Sequence, residues 1–301
     1  MPAHPRRKAF GQHFLKDKKL CEHLTELCLK KVKNTHVKSL LEVGPGSGAL
    51  TEPLIRGLAE FPRVRFSVVE KDRKWATHWS GVVRVHDVDF MDLPQKEWLD
   101  LPPLGVISNL PYSAGTSILL RFIEHPDQIP FLLLMFQAEV AQRLRAEPRT
   151  KAWGSLSLWV QSRWNVTLVA KVPPAAFQPP PDVNSEVVLL EPLEKPRIHA
   201  LSTPDSGPEA YKGAHKRAHE TWNHLLRACF AHRRKMLRAG LKGWPKFLKA
   251  LEKSSIDPTL RAEALSWDQW NELLDCALSG GDLDPAPGPV LVKAQIKKGR
   301  T

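Results

Sequence analysis

The chain has 301 residues, of which 42% are hydrophobic and 25% are charged, a composition typical of a soluble folded protein. It contains no apolar run near the roughly 18–20 residues that span a bilayer, which excludes a membrane protein. Its first residues lack the apolar segment that a secretory signal needs. The 44 Lys and Arg and 32 Asp and Glu give a net charge of +12, which favours a polyanionic partner such as nucleic acid.

Strand-like and helix-like segments alternate over residues 37–136, the pattern of a parallel sheet that helices cover on both faces. The predicted strands are 37–43, 64–70, 82–86, 104–109 and 131–136. The spacing of apolar residues predicts helices at 49–60, 71–80, 116–124, 137–147 and 154–164. Residues 165–172 and 185–191 are again strand-like, and we predict that they pair as a hairpin across a proline-rich loop.

The composition divides the chain into segments. Residues 1–194 hold the α/β pattern, and residues 195–218 are polar and lack periodicity, which predicts a linker. Helical spacing predicts a small helical domain at 219–280, and residues 281–301 are predicted to form a flexible tail.

Basic residues are concentrated around the predicted helical domain. Residues 212–249 contain eleven Lys or Arg and one acid, Glu220. This imbalance exceeds that of an ordinary solvated helix face and predicts contact with nucleic-acid phosphates. The densest cluster supplies the predicted RNA-binding residues, which are Arg233, Arg234, Lys235 and Arg238.

A glycine-rich segment, LEVGPGSGALTEPL at 41–54, ends the first predicted strand and opens a helix. Gly44, Gly46 and Gly48 allow the backbone to approach a ligand closely, and the N-terminus of a helix offers free N–H groups. The spacing also fits a dinucleotide-binding fingerprint, so this motif alone leaves a dinucleotide-dependent oxidoreductase open.

Acids follow the next two predicted strands. Glu70 ends the second strand, 22 residues beyond Gly48, where a carboxylate can accept hydrogen bonds from both hydroxyls of a ribose. Asp87 follows the third strand and can accept a hydrogen bond from an adenine amino group, with Asp89 and Asp92 as nearby alternatives. The acids therefore favour a nucleoside ligand beside the glycine segment.

The motif that decides the chemistry is Asn109-Leu110-Pro111-Tyr112, at the end of the fourth predicted strand. The side-chain oxygen of Asn109 and the carbonyl of Leu110 can accept both N–H hydrogens of an exocyclic amine, while Tyr112 can stack on the ring. These groups suit a flipped-out amino base. The oxidoreductase interpretation explains the glycine segment but neither this motif nor the charge.

Together these segments resemble the ribosomal RNA adenine dimethyltransferase family. FGQHFLKD at 10–17 resembles the family's Phe-Gly-Gln-Asn-Phe-Leu opening, EVGPGSGALT its methyl-donor loop, and SNLPY its target-base motif. VPPAAFQPPPDVNSEVV at 172–188 resembles its proline-rich hairpin, and IDPTLRAEALS at 256–266 resembles a segment typical of bacterial members. The resemblance covers residues 8–275, with a gap in the predicted linker.

The resemblance implies an α/β protein with a seven-stranded, Rossmann-like, S-adenosylmethionine-dependent methyltransferase fold at 1–194 and a small all-α C-terminal domain. Gly46 and Gly48 would belong to the loop that binds the methyl donor. The family's donor site, for S-adenosyl-L-methionine, corresponds here to His13, Leu15, Gly44, Glu70, Asp87 and Asn109. We expect Phe177, in the hairpin loop, to close on the other face of the base, so the predicted catalytic residues are Asn109, Leu110, Tyr112 and Phe177.

The sequence departs from the family pattern at two places. His13 stands where the family usually has Asn, which bears on affinity for the donor. Ser113-Ala114-Gly115 follows Tyr112 where many members have Asn-Ile-Ser, which bears on the stiffness of the loop or on the second methylation.

The resulting interpretation is an enzyme that dimethylates N6 of adenines in small-subunit ribosomal RNA within a pre-ribosomal particle. We expect a cytoplasmic monomer without a membrane partner. We also expect no bound metal, because the four cysteines show no Cys-x-x-Cys spacing. One alternative is a resistance-type large-subunit methylase, against which the segment 256–266 argues. Another is a non-catalytic ribosome-assembly or mitochondrial transcription factor, against which the intact Asn109, Tyr112 and Glu70 argue.

Overall fold

The computed structural model describes residues 13–202 and 209–280. The chain separates into two compact units, residues 1–196 and 197–301. The predicted tail at 281–301 and the first three residues of the FGQHFLKD segment lie outside the described ranges. Within those ranges, no helix combines the length and apolar character needed to cross a membrane.

The first unit contains nine strands and seven α-helices among its described residues. The strands are β1 (Phe14–Leu15), β2 (Ser39–Val43), β3 (Arg65–Val69), β4 (Arg84–His86), β5 (Leu104–Asn109), β6 (Phe131–Gln137), β7 (Trp164–Val172), β8 (Phe177–Gln178) and β9 (Ser185–Pro192). The helices are α1 (Lys18–Thr35), α2 (Thr51–Leu58), α3 (Arg73–Trp79), α4 (Gln95–Trp98), α5 (Gly115–Phe122), α6 (Ala138–Leu144) and α7 (Ser155–Gln161).

Seven of these strands form one sheet in the order β4-β3-β2-β5-β6-β9-β7. The first five are parallel, and β9 inserts antiparallel between β6 and β7. Each of the seven strands lies within two residues of its predicted bounds, and the hairpin of 165–172 and 185–191 is confirmed. Because β2 pairs with β3 on one side and β5 on the other, the strand order reverses there, and ligands bind at such reversals.

The central strands β2, β5 and β6 are buried on both faces, as their continuous apolar runs predict, whereas the edge strands β4 and β7 are partly exposed. In β6, successive side chains alternate between the two hydrophobic clusters that cover the sheet. Leu132 and Leu134 pack with α5, α6 and α7, whereas Leu133 and Met135 pack with α1 and α2. This two-sided burial fixes the carboxyl ends of the parallel strands relative to one another.

A separate two-stranded sheet joins distant parts of the first unit. Strand β1 pairs antiparallel with β8, with Phe14 opposite Gln178 and Leu15 opposite Phe177. The N–H of Lys16 extends the pairing by donating to the carbonyl oxygen of Ala176 at 2.8 Å. The pairing therefore holds the segment before α1 against the proline-rich loop.

The described part of the second unit is helical, with α8 (Glu209–Ala231), α9 (Leu237–Gly240), α10 (Pro245–Lys253) and α11 (Trp267–Leu278). Its core contains Trp222 and Trp270, whose rings meet edge to face with centroids 5.6 Å apart. Ser266 and Gln269 form a capping box that starts α11. These elements agree with the helical pattern expected at 219–280.

The predicted linker at 195–218 is wrong over part of its length. A turn at 198–201, in which Ile198 and Leu201 are buried, packs within the second unit. The Asn271 side chain donates to the carbonyl of Arg197 and accepts from the N–H of His199, both at 2.8 Å. Helix α8 begins at Glu209. Residues 213, 214 and 216 are exposed, which explains why the sequence shows no apolar period there.

Candidate active site

An open cavity lies at the carboxyl ends of the parallel strands, where the strand order reverses. It encloses about 970 Å³ when the solvent in its open mouth is included. Its walls come from the glycine segment after β2, from the residues after β3, β4 and β5, and from β1. The predicted site residues that line it are His13, Leu15, Gly44, Gly46, Glu70, Asn109, Leu110 and Tyr112.

The glycine segment requires glycine for conformation and for space. Gly44, Gly46 and Gly48 have φ values of +73°, +50° and +90°, in the region that disfavours other residues. A Cβ on Gly46 would come within 2.8 Å of the Phe14 ring, and one on Gly48 within 2.3 Å of the Trp79 ring. Gly44 and Gly46 line the cavity, whereas Gly48 lies behind the loop against Trp79.

Glu70 connects the glycine segment to the end of β3. It is only 4% exposed, and its carboxylate accepts hydrogen bonds from the N–H of Gly46 at 3.1 Å and of Asp72 at 2.9 Å. Burial raises the pKa of Glu70, and the two N–H donors act in the opposite direction by favouring the ionised form. A hydrogen-bonded carboxylate on the cavity wall can accept a ribose hydroxyl, as the sequence predicts.

The adenine contact expected of Asp87 stays a prediction. The cavity is lined by Val88 and Asp89, whereas Asp87 is exposed. The N–H of Val88 donates to the carbonyl of His86 at 3.0 Å, so Asp87 is the middle residue of a three-residue turn. Of the two nearby alternatives, Asp89 and Asp92, Asp89 lines the cavity, and its carboxylate lies 3.5 Å from Lys71 Nζ.

Asn109 ends β5, and its side chain is anchored across the cavity wall. Its amide nitrogen donates to the main-chain carbonyl of His13 at 3.3 Å. Because the amide nitrogen of Asn109 is bonded to His13, the amide oxygen on the other side of the same amide group remains as a hydrogen-bond acceptor. Asn109, Leu110, Pro111 and Tyr112 all line the cavity, so the structure brings the whole motif to one place.

Tyr112 is held at its ring and at its hydroxyl. The ring of His13 stacks on it with centroids 5.5 Å apart and an interplanar angle of 30°. The hydroxyl oxygens of Tyr112 and Ser185 lie 2.5 Å apart, and burial raises the pKa of the phenol. His13 is anchored in turn, because its Nδ1 lies 3.0 Å from the carbonyl oxygen of Pro179 and can only donate to it.

Glu42 is a cavity residue that the sequence argument missed. It is 2% exposed at the end of β2, and the Thr51 hydroxyl donates to its carboxylate at 2.8 Å. Burial raises the pKa of Glu42 to about 8, the hydrogen bond from Thr51 lowers it, and the charge of Glu70 raises it further. The signal was its position immediately before the Val-Gly that opens the glycine segment.

Phe177 does not line the cavity. It is 1% exposed in the hydrophobic cluster that contains Leu15, Cys21 and Leu24. Its position in β8, opposite Leu15 of β1, directs it into this core. The prediction that Phe177 closes on the base is therefore wrong for this conformation, and Ser185 is the residue of the same hairpin that reaches the site.

The predicted RNA-binding cluster of the second unit follows the end of α8. Arg234, Lys235 and Arg238 are exposed. Arg233 is half-buried, and its Nε donates to the Glu263 carboxylate at 2.9 Å. The exposed cations are therefore better placed than Arg233 to contact phosphate.

Three features define an S-adenosylmethionine-dependent methyltransferase. They are a seven-stranded sheet in which β9 runs antiparallel to both of its neighbours, a glycine segment after the first strand of that sheet and an acid after the next. The cavity fits this donor, since close backbone approach at Gly44 and the acceptor at Glu70 suit a nucleoside. The sequence model of the family described as ribosomal RNA adenine dimethylase matches residues 3–203, and the chain belongs to this family.

Individual relatives agree with this assignment. The chain is 36% identical over 284 residues to a protein of Ruegeria pomeroyi named ribosomal RNA small subunit methyltransferase A, covering 91% of each chain. A protein of the same name from Bordetella petrii is 34% identical over 291 residues, covering 93% of this chain and 98% of the relative.

Solved structures show the same fold at lower identity. A dimethyladenosine transferase from Plasmodium falciparum matches with a TM-score of 0.59 and 20% identity, covering 87% of this chain and 96% of that one. A 23S rRNA methyltransferase matches with a TM-score of 0.55 and 20% identity, covering 88% of this chain and 99% of that chain.

Proposed function

We propose that this enzyme dimethylates N6 of adenines in small-subunit ribosomal RNA, with S-adenosyl-L-methionine as the methyl donor. The observation that carries the proposal is the placement of Asn109, Leu110 and Tyr112 in one cavity with the glycine segment. The relatives of more than 30% identity that are named above act on the small subunit by name, which supports the choice of substrate.

The donor is held by groups on the β2 and β3 side of the cavity. Glu70 accepts the ribose hydroxyls, and the segment of Val88 and Asp89 lies against the adenine ring. Gly44 and Gly46 allow the backbone to approach the rest of the molecule. S-adenosylmethionine supplies a methyl group already activated by its positive sulfur, so the protein contributes mainly placement.

The target adenine is held by the motif after β5. Adenine N6 is a poor nucleophile because its lone pair is delocalised into the ring. The Asn109 amide oxygen and the Leu110 carbonyl accept its two N–H hydrogens, which favours a pyramidal, electron-rich nitrogen. Tyr112 stacks on the base. The methylated nitrogen is acidic enough to lose its proton to water, so no strong general base is needed.

The second unit supplies the contact with RNA in this proposal. The exposed Arg234, Lys235 and Arg238 bind phosphates without reading sequence, while the cavity selects the base. Because a broad basic surface needs a broad partner, we expect a folded pre-ribosomal particle as substrate rather than an isolated hairpin. We expect the enzyme to act as a monomer in the cytoplasm.

The test is methyl transfer from labelled S-adenosylmethionine to undermethylated small subunits, with large subunits in parallel. Nucleoside mass spectrometry identifies the product. We expect N6,N6-dimethyladenosine in the small subunit alone. Label in the large subunit would instead support a resistance-type methylase, and RNA binding without transfer would support a non-catalytic assembly factor. Asn165→Ala, an exposed asparagine on β7, is the matched control for Asn109→Ala.

A further inference from the structure

The glycine segment is held from behind by one buried aromatic side chain. Trp79 is the last residue of α3 and is 3% exposed. Its indole Nε1 donates to the carbonyl oxygen of Gly46 at 2.9 Å. The N–H of the same glycine donates to Glu70 at 3.1 Å, so both polar main-chain atoms of Gly46 are held by side chains.

Packing adds to this hydrogen bond. A Cβ on Gly48 would lie 2.3 Å from the Trp79 ring, which means that the loop rests directly on the indole. Two residues of the loop therefore depend on Trp79, Gly46 through a hydrogen bond and Gly48 through close contact. Close approach to a ligand does not account for Gly48, because the space beside it is filled by the Trp79 ring.

The bond from Trp79 fixes the direction of a main-chain donor on the cavity side. In a trans peptide, the carbonyl and the following N–H point in opposite directions. Holding the Gly46 carbonyl towards α3 therefore directs the N–H of Ser47 away from α3. Ser47 lines the cavity, and a peptide fixed before the ligand arrives avoids the free-energy cost of ordering it on binding.

We propose that Trp79 is a positioning residue for the methyl donor, which sets the conformation of the glycine segment through Gly46 and Gly48. The proposal rests on the proposed function, because it requires the cavity to bind the donor. It differs from an ordinary packing role in what it predicts for a change to phenylalanine, which removes the indole N–H and part of the ring. Donor affinity should fall further than it does for the same change at an equally buried tryptophan that makes no bond to the loop.

Trp98 provides a matched control. It is also 3% exposed in the core of the first unit, and it is not among the residues that line the cavity. Within the described ranges, its indole nitrogen has no hydrogen-bond partner. Trp98→Phe therefore removes a similar amount of buried ring without removing a bond to the glycine segment.

The experiment is calorimetric titration of S-adenosylhomocysteine, the demethylated form of the donor, into the wild type, Trp79→Phe and Trp98→Phe. We expect about tenfold weaker binding for Trp79→Phe and less than twofold change for Trp98→Phe. In methyl transfer, the KM for the donor should rise in Trp79→Phe while the KM for RNA stays unchanged. Equal Kd values for wild type and Trp79→Phe, or equal losses in both variants, would overturn the proposal.

Two further results separate the proposed function from the role of Trp79. A wild type that binds S-adenosylhomocysteine but transfers no methyl group would refute the proposed function, and the comparison of variants would still decide the role of Trp79. If Trp79→Phe does not fold, hydrogen exchange in the wild type replaces it. The N–H groups of Gly44, Gly46 and Gly48, which are bonded to Val69, Glu70 and Pro45, should be protected before ligand is added, and exchange at the unprotected rate would overturn the proposal.

Discussion

Replacement of Ser185 by Ala tests whether the Tyr112 ring must be held in place for catalysis. The change removes the hydroxyl that lies 2.5 Å from the Tyr112 oxygen. Burial raises the pKa of Tyr112, so the phenol stays protonated near neutral pH and loses its partner in the variant. The strand itself is retained, because Ser185 pairs with β6 and β7 through its main chain.

The size of the effect follows from the cost of an unsatisfied buried group. Leaving the phenol without a partner costs about 1–3 kcal/mol, whereas removing both members of a neutral hydrogen bond costs about 0.5–1.5 kcal/mol. We expect this cost to raise the free energy of the transition state in which the base stacks on Tyr112. Ser185→Ala then lowers kcat/KM by about 5- to 150-fold. Tyr112→Phe lowers it less, and the double variant should resemble Tyr112→Phe alone.

The assay is a double-mutant cycle on kcat/KM for methyl transfer to undermethylated small subunits, with S-adenosylhomocysteine affinity measured beside it. Donor affinity should stay within about twofold of wild type in all three variants. Ser162→Ala is the control, since this serine is fully buried and bonds the carbonyl of Trp159 in α7 at 2.7 Å. Strictly additive losses from Ser185→Ala and Tyr112→Phe would refute the reasoning.

Three other changes test separate parts of the structure. Asn109→Ala should abolish methyl transfer with RNA binding nearly intact, measured by transfer and filter-binding assays; near-normal turnover would remove Asn109 from the site. Arg234→Ala with Lys235→Ala should reduce the salt slope of RNA binding by about two, and an unchanged slope would exclude this cluster from the interface. The pKa of Glu42 is about 8 when folded against an ordinary 4.5, so the folded state retains a proton between these values that the unfolded state has released. The stability that this group contributes therefore falls as pH rises from about 5 to 8, by up to about 1.4 kcal/mol of unfolding free energy per pH unit. Glu42→Gln should remove this pH dependence, measured by urea denaturation at several pH values. Identical pH profiles for wild type and Glu42→Gln would contradict it.

The sheet and half of the cavity follow from short-range signals in the sequence. Buried parallel strands are continuous apolar runs, so β5 and β6 are recognisable without knowledge of their neighbours. The glycine segment and Asn109-Leu110-Pro111-Tyr112 follow directly from strand ends, which topology brings to one edge. Local pattern is sufficient there because each group is placed by the element that precedes it.

The remaining contacts depend on pairings between distant residues. Phe177 is in an extended segment of only two residues, and its burial results from pairing with β1 rather than from any local period. Asp87 and Val88 differ in exposure because of one tight turn, which the sequence does not specify. The roles of Trp79 and Ser185 come from side chains that meet a loop formed elsewhere in the chain.

The pairing of β1 with β8 has a consequence for folding order. His13 and Pro179, which bond beside it, are separated by 166 residues, so closing this contact costs more chain entropy than forming the parallel strands between them. Such non-local contacts form late. On a chain emerging from the ribosome, the bond between His13 and Pro179 cannot form until residue 179 has been synthesised. The base-binding wall is thus completed only after most of the sheet that supports it already exists.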